Sequence, residues 1–532
     1  MATSYATPGI YIEERPSGSM PIQGVGTAIA AFVGLTDTYN PAEGDPDDTA
    51  GVQPQLVTSW PQYERIYGGC DSGALLPYAV RGFFDNGGTM AYIVRVSGRG
   101  AAQPATLALT AAGNAEIPAF TVVAAVDDAT GYEVEVVRSP APDGEGEGEP
   151  AAPEFAIKVL RNGQQVEEVT GLSFTKSPKV LEKAINDQAK AIRVQVQNVG
   201  GVALAERTPA AGRYPLRQAA PDQIEPIALA GSETDRTGYQ GLVIADDVTI
   251  VAVPDLITLT TRADGSFDSE SYIAFQATLA DWAAASGKRM AILDPPPGLN
   301  ATGAAEWREK LGKDTAFAAA YYPNVVVPNL STAKGANGPR FLTVPPSGHI
   351  AGIWARTDAV RGVHKAPGNE ELRGVVGLET KLSDGEQGLL NPIGVNCLRN
   401  FGTFGLRVWG ARTLAMTDPS WRYVNVRRLF NYIEESIRRG TRWAVFEPND
   451  TALWQRVKRN VGYFLRGLWM QGALVGATPE QAFYIICDES NNPPSSVAEG
   501  KLIVDIGVAP SRPAEFVVFR ISQWQSGDST SE

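Results

Sequence analysis

The side chains best suited to chemistry near neutral pH are scarce in this sequence. Its 532 residues hold two histidines, His349 and His364, and three cysteines, Cys70, Cys397 and Cys487. Histidine is the commonest general base and metal ligand near neutral pH, so its rarity narrows the catalytic options. Ser347-Gly348-His349 is the one close Ser/His pair, and its chemistry would be acyl transfer. A triad also needs an orienting carboxylate and an oxyanion hole, and neither is identifiable beside it. The ordinary reading is a cap or core histidine. His364 falls in the basic loop Arg361-Gly362-Val363-His364-Lys365, which suits a turn or an interface better than a ligand. The cysteines are far apart and form no CxxC, so neither a zinc site nor a disulfide framework is expected.

Phosphate chemistry has no better foothold. Gly24-Val25-Gly26-Thr27 matches the first half of a dinucleotide-binding GxGxxG, but the third glycine is missing and a strand follows. A tight turn explains it. No GxxxxGK[ST] or GxSxG occurs. The carboxylate pairs Glu13-Glu14, Asp246-Asp247, Glu370-Glu371 and Glu434-Glu435 are adjacent in sequence and read as solvated. No catalytic, cofactor-binding or metal-binding residue is assigned, and no cofactor is expected.

Composition agrees with a large, acidic, multi-domain folded chain that is poor in catalytic residue types. Apolar residues make up 43% and charged residues 20%, which suits globular cores. The net charge of −13 argues against a surface built for nucleic acid or anionic membranes. No apolar run approaches the ~18 residues of a membrane span. The start, Met1 to Pro8, has neither a basic region nor an apolar stretch, so Sec export is not expected.

Position along the chain is set by prolines, glycines and periodicity. Pro8, Pro16 and Pro21 break any helix over the first 22 residues, leaving Ile10-Tyr11-Ile12-Glu13 as a lone strand that needs a sheet to join. Ala28 to Leu35 reads as a buried strand. Helix is expected at Tyr78–Phe84, a stop at Asn86-Gly87-Gly88, and strand at Ala91–Val96. Residues 101–232 carry no Trp and read as short strands at 120–126, 132–137, 155–160, 166–169 and 192–196, with one helix at 178–189. Asn162-Gly163 is a hairpin signal there. Glu145-Gly146-Glu147-Gly148-Glu149 is a flexible acidic loop without EF-hand spacing. From Gly241 strands and helices alternate again: strands at 248–253, 289–293 and 319–327, and helices at 272–286 and 304–311. That pattern argues for a mixed or parallel sheet.

Six of the ten tryptophans lie in the C-terminal third, which places the main core there. Asp418-Pro419 is expected to cap a helix bearing Val426, Leu429, Phe430, Ile433 and Ile437, ending at Gly440. A second helix starts near Asn449-Asp450 and carries Leu453, Val457, Val461, Phe464 and Leu468. Strands are expected at 484–487, 502–508 and 516–521. From Arg399 to Gly467 there are 13 Lys/Arg against 5 Asp/Glu. Arg456, Arg459 and Arg466 fall opposite the apolar stripe of the second helix. The plain reading is a solvated face, and the functional one is a dock for an acidic partner or another copy.

Several stretches, taken in order, resemble contractile tail sheath proteins. They are Tyr5–Glu14, Gly24–Gly34, Phe83–Gly88 with Ala91–Val96, Pro345–Gly352, Gly362–Asn369, Asn391–Asn396, Trp409–Leu414, Val424–Leu429 and Phe446–Asp450. The resemblance covers nearly the whole chain except 101–232. It implies a mixed α/β (α+β) multi-domain fold, with arms that exchange strands between subunits. The implied division is an N-terminal arm at 1–22, sheath core at 23–100, an inserted β-rich outer domain at 101–232 and further core at 233–340. A C-terminal sheath domain facing the inner tube follows at 341–512, then an arm strand and tail at 513–532.

It also implies a non-enzymatic, metastable subunit of hexameric rings stacked helically around an inner tube protein, with baseplate and terminator or cap proteins as partners. Neither nucleic acid nor direct membrane insertion is implied. Assembly would occur in the bacterial cytoplasm, in a phage tail or a phage-tail-like injection particle. A single chain holding both halves fits the phage-tail or extracellular type better than the two-chain type VI sheaths. Ile10, Tyr11, Ile12 and Glu13, with Phe516, Val517, Val518, Phe519, Arg520 and Ile521, would supply the exchanged strands. Arg456, Arg459 and Arg466 are the candidates for docking the inner tube. Two other readings remain: a receptor-binding or adhesive assembly protein built on 101–232, and a hydrolase using His349 or His364.

Overall fold

The computed structural model describes residues 21–40, 43–44, 48, 51–96, 106–125, 132–138, 154–161, 163–174, 178–196, 207–216, 224–262, 264–331 and 339–520. The expected strand at Ile10–Glu13, the acidic Glu-Gly loop and Ile521 lie outside those residues. The chain divides into two compact units, Ser97–Ile224 and the remainder.

The larger unit is built on an eight-stranded sheet. Its order is Leu406–Trp409, Val395–Asn400, Ala318–Tyr322, Met290–Leu293, Ile250–Ala252, Ala30–Gly34, Ala91–Arg95 and Gln55–Val57. The six inner strands run parallel and the two outermost are antiparallel. Ala30–Gly34, Met290–Leu293 and Ala318–Tyr322 are buried at every residue. That is what a parallel sheet covered on both faces demands, and it explains their unbroken apolar runs. The expected strand at 319–327 is divided in two. Pro323 has no N–H to continue the ladder, and Val325–Pro328 pairs instead with Phe341–Val344 in a separate three-stranded sheet.

The largest core surrounds this sheet and not the C-terminal tryptophans, which corrects the expectation. It joins Phe32, Tyr63, Phe83, Ile292, Tyr321 and Trp354 from segments far apart in sequence. The helices Leu76–Asp85 and Ser347–Arg361 pack against each other at this core. They cross at glycines. A Cβ on Gly348 would overlap the Ala79 backbone, one on Gly352 would overlap the Phe83 carbonyl, and one on Gly82 would strike the His349 ring. Only residues without a side chain let the backbones approach this closely.

The smaller unit contains a four-stranded antiparallel sheet of Gly212–Pro215, Tyr132–Arg138, Phe155–Arg161 and Gln164–Leu172. Beside it is a three-stranded sheet of Thr106–Ala111, Asn114–Ala124 and Ile192–Gln195. Arg161 faces Gln164 across a two-residue hairpin, with Gly163 at φ 81°. Phe120, Phe155 and Phe174 stack in its core, joined by Leu181 and Ile185 of the helix Pro178–Gln188. Residues 225–232, expected in this insertion, belong to the larger unit, where Leu229 and Ala230 are buried.

In the C-terminal region a third core forms between the helices Val424–Gly440 and Thr451–Met470. Asp450 caps the second helix by accepting from Leu453 N at 2.8 Å. Asp418 does not cap the first. It caps the short 3-10 turn Pro419–Trp421, because Tyr423 in extended backbone separates that turn from the helix. Phe483–Ile486 and Asp505–Val508 make an isolated two-stranded antiparallel sheet, shorter than the strands expected at 484–487 and 502–508. Phe516–Arg520, expected as a strand, pairs with no strand among the described residues.

Candidate assembly interface in the C-terminal region

The motif residues singled out in the sequence are mostly joints within the subunit. His349 is buried in the glycine crossing, and burial pushes its imidazole down to about 4, so it is neutral. Ser347 donates its backbone N–H to Asp294 Oδ1 at 2.9 Å, and its hydroxyl is buried without a partner among the described residues. The pair therefore packs two helices together and does not form a nucleophile–base couple. The second histidine holds the core through its backbone: Asn425 Nδ2 donates to the His364 carbonyl at 2.7 Å. Its side chain is also pushed down, by burial and then by Arg361.

Several of the basic residues between 399 and 467 are paired inside the fold. Arg428 makes a bidentate pair with Asp358 at 2.6 and 2.9 Å, with both side chains 5% exposed, and it lies over the Trp354 ring. Arg427 pairs with Glu434 and stacks on Trp421 and Phe317. Glu435 takes both Arg438 and Arg439, which keep its carboxyl below the usual range against the opposing effect of burial.

Of the three docking candidates, Arg459 and Arg466 are exposed on Thr451–Met470. Arg456 is half-buried, pairs with Glu447 at 2.9 Å and lies over Trp443. The helix's outer face also carries exposed Tyr463 and Met470, which the charge argument missed.

Both ends of the described chain are fastened beside the helix Val424–Gly440. Ile22 is buried against Gly440. Val25 N donates to Ser436 Oγ at 3.2 Å. The Thr27 carbonyl accepts from Arg428 at 2.8 Å, and the Thr27 hydroxyl donates to Asp358 at 2.6 Å. Gly24 lies so close to Tyr432 that any side chain there would overlap the phenol. The Gly-Val-Gly-Thr turn therefore fastens the N-terminal root to this helix.

At the other end, Asn425 Nδ2 donates to the Ser511 carbonyl at 3.2 Å, and Ser511 N donates to Ala473 O at 3.1 Å. Glu515 is then gripped from three sides. Arg412 donates to both its oxygens at 2.8 and 2.6 Å, Asn391 Nδ2 at 2.9 Å and Tyr423 OH at 3.0 Å. Burial would raise its carboxyl, but Arg412 and Asn391 hold it below the usual range. Asn391 and Arg412 lie within two of the motifs quoted above, yet nothing local in the sequence pointed to Glu515, their partner over a hundred residues away.

Immediately beyond Glu515 the chain is open. Phe516, Val517, Val518 and Phe519 are 70–82% exposed. Among the described residues, no hydrogen bond or ion pair holds 516–520. The sheet of Phe483–Ile486 and Asp505–Val508, with Tyr484 and Ile486 exposed, has two strands, so each keeps an edge that no third strand of the described residues pairs.

Comparison with known proteins places this architecture. Residues 255–414 match the phage tail sheath protein central domain, and residues 416–523 match the phage tail sheath C-terminal domain. The chain belongs to the phage tail sheath family. A putative prophage major tail sheath protein of Pseudomonas aeruginosa (strain UCBPP-PA14) is 29% identical over 258 residues, 47% of this chain and 62% of that protein. The tail sheath protein of Vibrio phage KVP40 is 28% identical over 177 residues, 33% of this chain and 26% of that protein. The chain thus aligns with less than two thirds of either relative's length.

The fold is shared across nearly the whole chain with the contracted helical sheath of the anti-feeding prophage (AFP). The TM-score is 0.55 and the identity 24%, over 98% of this chain and 100% of that one. It is shared equally with the contracted sheath complex of an extracellular contractile injection system, PVC, at TM-score 0.55 and 23% identity over 98% and 99% of the two chains.

Proposed function

We propose that the chain is the structural subunit of a contractile sheath. Copies polymerise as stacked hexameric rings around an inner tube and contract to drive that tube through a target envelope. The observation that carries this reading is the unpaired apolar run Phe516–Phe519, which leaves the fold at Glu515. Such a run forms no stable structure alone, but adds readily to an open sheet edge in another copy, with main-chain hydrogen bonds supplying affinity. The N-terminal segment Ile10–Glu13, beyond the root at Ile22, supplies the matching strand at the other end. Strands tethered outside a rigid fold can stay joined while the subunits rotate.

The subunit is non-enzymatic in this reading. The energy is stored at assembly in a kinetically trapped state and released as subunit surface becomes buried. Arg459 and Arg466 face the inner tube protein, with Tyr463 and Met470 between and beside them; Arg456 steadies the turn through Glu447. Baseplate and terminator proteins close the two ends of a tail or injection particle assembled in the bacterial cytoplasm. The unit Ser97–Ile224 lies on the outside of the cylinder.

Negative-stain electron microscopy of the full chain tests this, beside copies lacking 1–22, 516–532 or 97–224. Hollow striated cylinders are expected from the full chain and from the copy lacking 97–224, and none from either copy lacking an arm. Monodisperse particles from the full chain at high concentration, with inner-tube protein added, would overturn the reading.

A further inference from the structure

The two ends of the described chain are fastened to opposite stretches of one buried helix. Tyr423 and Asn425, at the start of Val424–Gly440, hold Glu515 and Ser511. Arg428, Ser436 and Gly440, along the rest of the helix, hold Thr27, Val25 and Ile22. The helix is about 25 Å long, and most of its residues are buried, so it cannot shift without disturbing the core. Beyond the mooring, residues 516–532 span roughly 55 Å at full extension, far enough to reach into another copy.

From this placement we infer that Glu515 is the fixed point where the C-terminal arm leaves its own subunit. The helix Val424–Gly440 acts as a yoke that keeps this point and the N-terminal root at one spacing. The inference rests on the sheath reading, because the arms' occupants are second copies of this chain. Its mechanical content is specific. A free carboxylate would let the arm peel back toward Ser511, lengthening the flexible tether and lowering the effective concentration of the strand at the neighbouring edge. With Arg412, Asn391 and Tyr423 in place, flexibility begins at Phe516. Because both roots share one helix, movement of a subunit carries both links together.

The test uses the full chain and compares four forms with wild type: Glu515→Ala, Glu515→Gln, the charge swap Arg412→Glu with Glu515→Arg, and a chain ending at Glu515. Glu515→Ala is expected to melt within about 3 °C of wild type, while the yield of pelletable tubes falls roughly tenfold and the remaining tubes lose helical order. Glu515→Gln, which keeps an acceptor for Asn391 and Tyr423, falls between, and the charge swap recovers part of the loss. A purely structural role would instead lower the melting temperature in step with assembly. Should Glu515→Ala fail to fold, Glu515→Gln carries the same comparison.

Spin labels on exposed Gln23 and Ala514 should report one distance in free subunits, extended tubes and contracted tubes. Well-ordered tubes from Glu515→Ala and Glu515→Gln at wild-type yield would overturn the mooring. A change in the label distance of more than about one helical turn, 5.4 Å, would overturn the yoke. Normal tubes from the chain ending at Glu515 would overturn the arm-exchange reading itself, whatever the point variants do.

Discussion

The parallel sheet core and the C-terminal rim of the same unit solve opposite problems. In the core, strands such as Met290–Leu293 and Ala318–Tyr322 have neighbours on both sides and are covered on both faces. Even its charged groups are enclosed and matched: Asp255 accepts from Leu35 N, Leu75 N and Leu76 N at 2.6–3.1 Å. At the rim, a two-stranded sheet and four consecutive exposed apolar residues have no such completion among the described residues. The core is finished within one copy, whereas in the proposed sheath neighbouring copies finish the rim. The division between them falls at Glu515, where dense hydrogen bonding gives way to the exposed run Phe516–Phe519.

The comparison fails if rim substitutions disturb the free subunit as much as core substitutions do. The largest expected effect is at Arg428. Arg428→Ala leaves Asp358 buried without its partner and should cost about 3–5 kcal/mol in denaturant unfolding. Next comes the helix crossing, where Gly352→Val forces a side chain into the Phe83 carbonyl and should cost about 3 kcal/mol.

Asp294 sharpens the comparison through pH. Burial pushes its carboxyl up to about 7 from an ordinary 3.8. The folded chain therefore holds this proton more tightly than the unfolded chain does. Its stability contribution is complete below about pH 4 and is lost as pH rises toward 7. Between pH 5 and pH 8, Asp294→Asn should remove a fall of order 2 kcal/mol expected in wild type, read as the difference between their unfolding curves. The smallest effect is at the rim: Phe516→Ser with Phe519→Ser should shift unfolding of the free subunit by less than about 0.5 kcal/mol, yet abolish tube formation in a pelleting assay.

Local signals were legible in the sequence wherever the physics is local. The apolar spacing and Asp450 foretold the helix Thr451–Met470, and the unbroken run at Ala28–Leu35 foretold an inner strand. The apolar segment at 516–521 read as a strand, and its described part, Phe516–Arg520, pairs with no strand among the described residues. What could not be read depends on distant partners. Tryptophan number located the aromatic area but not the main core, which Ile, Ala, Val, Phe and Tyr from widely separated strands build together. Arg412 and Arg428 looked like part of a basic surface because Glu515 and Asp358 lie far off in sequence. Ser347 and His349 carried the appearance of chemistry, while Gly348, between them, sets how closely the two helices approach.

The exposed run Phe516–Phe519 also has a consequence for the life of the free subunit. Four successive apolar, strand-forming residues on an unpaired segment are a template for indiscriminate pairing. If that segment joins neighbours as proposed, the pool of unassembled copies is self-limiting: above some concentration the segment would also join them out of register. In the sheath proposed above, rapid consumption of newly made chains at a growing end would keep that pool small, so the supply of chains and the number of growth sites would have to be matched in time.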